Sequence, residues 1–136
     1  MRKCRIIIDT NLWISLLIGK RLLELRSLCN DDTIAVYYCA ELKAEFIRIA
    51  SSEKIRKYVT EERIVSTLEL LENSCVEVSL TDIVAAPHLR DANDLYLLSL
   101  AHTVQADYLL TGDKDLLTLQ FHNQTKIVTY NEFISI

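Results

Sequence analysis

Three aspartates stand where apolar stretches of this chain meet predicted helices. Asp9 closes CRIIID, whose run from Cys4 to Ile8 reads as a strand. Asp94 sits in the first turn of the apolar helix expected in RDANDLYLLSLA, and Asp113 follows the apolar strand of ADYLLTGD. In a parallel α/β sheet, strand ends at one edge lie close together whatever their separation in sequence, and ligands bind there. Carboxylates gathered at such an edge repel one another unless a cation lies between them. Oxygen ligands that leave room for water suit Mg²⁺ or Mn²⁺. The pattern points to a metal-dependent enzyme acting on phosphate esters.

Each residue also has a plainer reading. Asp9 could serve as the N-cap of the next helix, although Thr10 and Asn11 could cap as well, and an ionised carboxylate at the end of a buried strand is costly unless paired. Asp91 and Asp94 share a helix face, and Asp91 suits the N-cap. Asp94 is set apart by the apolar Leu95–Ala101 that follows, the mark of a buried helix. In TGDKD, Asp113 and Asp115 could be an acidic surface turn. Thr111 could instead orient a neighbouring carboxylate, and Gly112 could allow a tight turn. Glu45 borders the stripe of Leu42, Phe46 and Ile49, and a pair with Arg48 is its alternative; the residues alone leave the two open.

Alternating strands and helices must position these groups. The expected strands are Cys4–Ile8, Thr33–Tyr38, Cys75–Ser79, Asp107–Leu110 and Lys126–Thr129. Between them, one helix is expected from about Asn11 to Cys29, with Leu12, Leu16 and Leu23 on or near one face. Others are expected over Ala40–Ala50, Glu53–Tyr58, Thr60–Asn73 (capped by Thr60) and Asp91–Val104. A short turn of helix follows Gly112, and another closes Asn131–Ile136. Leu80–Arg90, with the single proline, reads as a loop. This order predicts a doubly wound α/β fold with a parallel sheet.

The 136 residues, half of them hydrophobic, fit one domain spanning residues 1–136. Two Gly and one Pro argue against long linkers. No apolar run nears the roughly 18 residues of a membrane span, and no signal peptide is legible, so the cytoplasm is expected. Cys4, Cys29, Cys39 and Cys75 lack metal-binding spacing, and Cys4 and Cys75, in expected strands, read as packing residues. The three histidines have no ligand spacing either. A net charge of −4 does not advertise a nucleic-acid partner. Lys43, Arg48, Lys54, Arg56, Lys57 and Arg63 could track a phosphate backbone or simply form a solvated face.

Together, IIIDTNLWISLL, AELKAEFIRIASSEKIRKY, RDANDLYLLSLAHTVQADYLLTGDKDLL and IVTYNEFI resemble the PIN-domain family, in particular the toxin components of bacterial toxin–antitoxin systems. The resemblance spans nearly the whole chain and is most specific in the third segment. It implies a three-layer α/β/α sandwich with a mainly parallel central sheet, and Mg²⁺- or Mn²⁺-dependent cleavage of single-stranded RNA. It also implies a small antitoxin partner and a homodimer. The family's acidic site falls on Asp9, Glu45, Asp94 and Asp113, with Asp115 a candidate fifth ligand and Asn11 and Thr111 as supporting polar residues. The chain departs from the pattern at Ala92, where relatives often carry Pro, and at Leu16–Gly19, which is poorer in Gly and Pro.

Two other functions fit parts of the pattern. An aspartyl-nucleophile phosphatase would use Asp9 with Lys114 in support, but such enzymes usually have a second Asp where Asn11 stands. A catalytically silent PIN-like module could bind RNA or a protein without cutting; the filled acidic positions argue against it.

Overall fold

The computed structural model describes residues 2–81 and 92–136. A six-stranded sheet in the order β3-β2-β1-β4-β6-β5 carries helices on both faces. Its strands are β1 Cys4–Ile8, β2 Ile34–Tyr38, β3 Val76–Glu77, β4 Tyr108–Leu110, β5 Phe121–His122 and β6 Thr125–Val128. Its helices are α1 Thr10–Ile18, α2 Leu22–Cys29, α3 Ala40–Ala50, α4 Glu53–Arg56, α5 Glu61–Ser74, α6 Ala92–Val104, α7 Lys114–Leu119 and α8 Tyr130–Ile134.

The sheet centre follows from composition. Ile6, Ile7 and Ile8 of β1 are at most 1% exposed, as a strand covered on both faces requires. β1 pairs in parallel with β2 and β4, Ile7 lying opposite both Tyr37 and Leu109. β4 pairs in parallel with β6. Each fully buried Ile or Leu contributes about 1.5–3 kcal/mol, so this apolar centre fixes the strand ends on which the acidic residues ride.

Several expectations are corrected. The single helix expected from Asn11 to Cys29 is two helices. Lys20, at φ 59°, takes the left-handed conformation between them, which no helix can continue through. The break turns Leu23 outward to 77% exposure, away from the face it was expected to share with Leu12 and Leu16. The strand expected over Cys75–Ser79 shortens to Val76–Glu77 at the sheet edge. A short strand, β5, joins β6 in an antiparallel hairpin, so the sheet is mainly rather than wholly parallel. Asn123 turns that hairpin at φ 53°, a conformation Asn tolerates. The expected N-cap Asp91 and nearly all of the loop expected over Leu80–Arg90 lie outside the described residues.

Other local signals agree with the structure. The Thr60 hydroxyl caps α5 by accepting from the Arg63 N–H at 3.3 Å. Thr129 and Glu132 form a reciprocal capping box on α8. All four cysteines are thiols; Cys29 and Cys75 meet at 3.7 Å between the ends of α2 and α5. No described helix is long and apolar enough to cross a membrane.

Candidate active site

The C-terminal ends of β1 and β4 are neighbours, and each runs into a helix through an aspartate. Asp9 is the N-cap of α1, its Oδ1 accepting from the Asn11 N–H at 3.2 Å. Asp113 is the N-cap of α7, its Oδ1 accepting from the Asp115 N–H at 2.8 Å. The capping role read for Asp9 thus uses one of its two carboxylate oxygens. The N-terminus of α1 favours the ionised form of Asp9.

The second oxygen of Asp9 is held from β4. Thr111 Oγ1 donates to Asp9 Oδ2 at 2.7 Å and accepts from the Asp113 N–H at 3.0 Å. One buried hydroxyl thus ties the two aspartates together across adjacent strands. Asp9 is 4% exposed, and its pKa lies above the ordinary carboxylate value. Burial is the main cause, opposed by the Thr111 and Asn11 hydrogen bonds and reinforced by the charges of Glu45 and Asp113. Glu45 and Asp113 therefore both lie near enough to Asp9 to act on its charge. Among the described residues, ion pairs join Arg2 to Asp107, Arg21 to Glu24 and Lys43 to Glu72, and none reaches Asp9 or Asp113.

Glu45 reaches the site from α3. Its Oε2 accepts from the Tyr96 hydroxyl at 2.5 Å, and that hydroxyl also lies 3.0 Å from Thr10 Oγ1. Tyr96 is 8% exposed, and burial followed by the Glu45 contact pushes its pKa well up, so it stays a donor. Sequence reasoning missed Tyr96 and gave Thr10 only a capping role. A signal existed: a tyrosine within an apolar helix must find a partner for its hydroxyl. Asp94, two residues before Tyr96, is 4% exposed in the first turn of α6. Asn11 and Asp115 are exposed at the rim, as is Lys114.

A cleft of about 280 Å³ opens beside these groups, lined by Asn11, Leu12, Ser15, Gly112 and Asp113. At Gly112 the φ is not positive and a Cβ added there would meet nothing within 4 Å, so neither the backbone nor the surrounding space requires glycine. Of the basic run, Lys43 is engaged by Glu72 at 2.7 Å, while Arg48, Lys54, Arg56 and Lys57 are exposed.

The donor set is hard oxygen throughout, which fits Mg²⁺ or Mn²⁺ and not a soft-ligand metal. Among the described residues, no three His, Cys, Asp or Glu side chains are grouped so as to hold an ion directly. The repulsion felt by Asp9 is what a cation would relieve, so the fit lies in chemistry and charge rather than in a closed cage.

A mainly parallel sheet with carboxylates at adjoining strand ends defines an α/β protein with an acidic edge site. The PIN domain family model matches residues 5–115, and the chain belongs to that family. It is 30% identical, over 97% of its length and 90% of the relative's, to the uncharacterized protein MJ1680 of Methanocaldococcus jannaschii. Its fold is similar to that in the crystal structure of VapBC2 from Rickettsia felis bound to a DNA fragment from their promoter. The TM-score is 0.56 at 15% identity, over 90% of this chain and 96% of that one.

Proposed function

We propose that residues 1–136 act as one PIN domain and cut single-stranded or looped RNA in the cytoplasm as a Mg²⁺- or Mn²⁺-dependent endoribonuclease. The observation that carries this reading is the approach of Glu45 and Asp113 to buried Asp9, with no ion pair to Asp9 or Asp113 among the described residues. Asp9, Glu45, Asp94 and Asp113 would hold the cation in part through its bound waters, with Asp115 at the rim. A divalent ion supplies an acidified water and stabilises charge on a phosphate. The chain's own groups do the rest. Thr111 keeps Asp9 and Asp113 in register. The cleft beside Gly112 gives a phosphate room to approach.

Membership in the PIN family supports nuclease chemistry. The likeness to VapBC2 supports a toxin whose partner is a small antitoxin protein, and we place a homodimer in the same proposal. Exposed Arg48, Lys54, Arg56 and Lys57 are the candidate path for the RNA backbone.

The test is cleavage of a labelled single-stranded RNA by the purified chain with Mn²⁺, in parallel with EDTA and with Asp94→Asn. Cutting that needs both the metal and Asp94 supports the proposal. Equal cutting in all three reactions overturns it. The binding-module reading draws on the open arrangement of the acidic groups. It predicts no heat of Mn²⁺ binding in calorimetry.

A further inference from the structure

We infer that Tyr96 is a positioning residue for Glu45, and that Thr10, Tyr96 and Glu45 form one hydrogen-bonded relay that aims the Glu45 carboxylate. The inference rests on the reading of the site as a divalent-cation nuclease. It adds an uncharged residue of α6 to a site otherwise built from acidic groups.

The direction of the relay follows from proton count. An ionised carboxylate only accepts, and a tyrosine hydroxyl has one proton. Tyr96 donates that proton to Glu45 Oε2. The contact between Thr10 Oγ1 and Tyr96 Oη, 3.0 Å, then requires the threonine to be the donor. Thr10, Tyr96 and Glu45 come from three different helices, α1, α6 and α3.

Thr10 is fully buried at the first position of α1, next to Asp9 at the sheet edge. Tyr96 is rigid and nearly enclosed. Glu45 is longer and half-buried on α3, where the Tyr96 hydroxyl meets one of its two carboxylate oxygens. The relay links this carboxylate to the same backbone turn that carries Asp9. Thr111 performs the matching task on the other side, holding Asp9 itself. Both carboxylates thus receive a hydroxyl, and each hydroxyl is set by a second contact. Partners of this kind, which orient metal-binding groups, typically change affinity or activity about 10–100-fold when removed.

The test compares wild type with Tyr96→Phe, which deletes one oxygen and keeps the ring, and with Thr10→Val as an independent cut at the other end. Mn²⁺ affinity is read by calorimetry and by electron paramagnetic resonance at millimolar Mn²⁺, and RNA cleavage by initial rates. Expected are a roughly 10–100-fold loss in Mn²⁺ affinity and in kcat for Tyr96→Phe, with KM for RNA changed less than about 2-fold. Thr10→Val should show a smaller loss of the same kind. In a Glu45→Ala background, where the hydroxyl has nothing to hold, Tyr96→Phe should have no further effect on affinity. Equal losses in both backgrounds, or no loss in the wild-type background, would overturn the inference while leaving the nuclease reading intact. A wild-type chain that neither binds Mn²⁺ nor cuts RNA would overturn both.

Discussion

Thr111 Oγ1 donates to Asp9 Oδ2 at 2.7 Å across 102 residues of sequence. That bond exists because β1 and β4 are parallel neighbours, with Ile8 paired to Leu110 one residue before each group. It makes the site a property of the sheet's register, and it sets the charge state of Asp9 against the cost of burying it.

Asp9→Asn should abolish activity and raise the stability of the metal-free protein at neutral pH. Asp9 has a folded pKa above its ordinary 3.8, so the folded chain binds this proton more tightly than the unfolded chain. Its stabilising contribution is complete below the unfolded value and is lost as pH rises through the folded one. Above that range the buried charge costs stability, and Asn, an equally good N-cap, removes the cost. A gain of about 1 kcal/mol is expected at neutral pH, closing on acidification. Thermal denaturation in EDTA at two pH values measures it; a variant less stable at neutral pH would contradict this account.

Thr111→Val should act in the opposite sense. Thr111 is 1% exposed, and its loss leaves both Asp9 Oδ2 and the Asp113 N–H without this partner. Stability should fall by about 1–3 kcal/mol. The lost hydrogen bond was holding the Asp9 pKa down, so that pKa rises further. In the proposed function cleavage uses ionised Asp9, and the acidic limb of the rate profile should therefore move to higher pH. A pH series on both proteins decides this; an unmoved limb would place the controlling carboxylate elsewhere.

Mn²⁺ should stabilise the wild type and not Asp113→Asn. A cation that binds only the folded chain adds about 2.7 kcal/mol at a hundredfold excess over its Kd. Differential scanning calorimetry with and without EDTA reads the shift. Equal shifts in wild type and variant would mean that the ion binds away from Asp113.

Gly112→Ala should fold at least as well as wild type. Its backbone is not in the left-handed region, and an added Cβ meets open space. An alanine that fits this way stabilises by about 0.4–1 kcal/mol through the unfolded chain. Because the added methyl faces the cleft, RNA cleavage should fall while urea resistance rises. Loss of stability would show that the glycine is required by the turn after all.

Much of the fold was legible in the residues. The three isoleucines of β1, the stripe on α3 and the Thr60 cap are local patterns, and hydrophobic period and hydroxyl chemistry determine them with little help from the rest of the chain. Asp9, Asp94 and Asp113 could be singled out because each stands where an apolar element meets the next. Residues of weak local preference were not legible. Nothing in GKR announces that Lys20 will turn left-handed and split a helix, and a two-residue strand such as β5 carries no periodicity to read.

What the tertiary structure alone decided is which polar groups share a proton. Asp9 and Thr111, or Glu45, Tyr96 and Thr10, are far apart in sequence and lie on different elements. Their meeting depends on strand order and helix packing, which are non-local. The sequence determined the kinds of chemical groups and the element each one rides on. Only the packed sheet, by bringing the ends of β1 and β4 side by side under α3 and α6, determined that Asp9 would be capped, hydrogen-bonded and repelled at once. A buried charge is tolerated only when the whole surrounding structure answers for it.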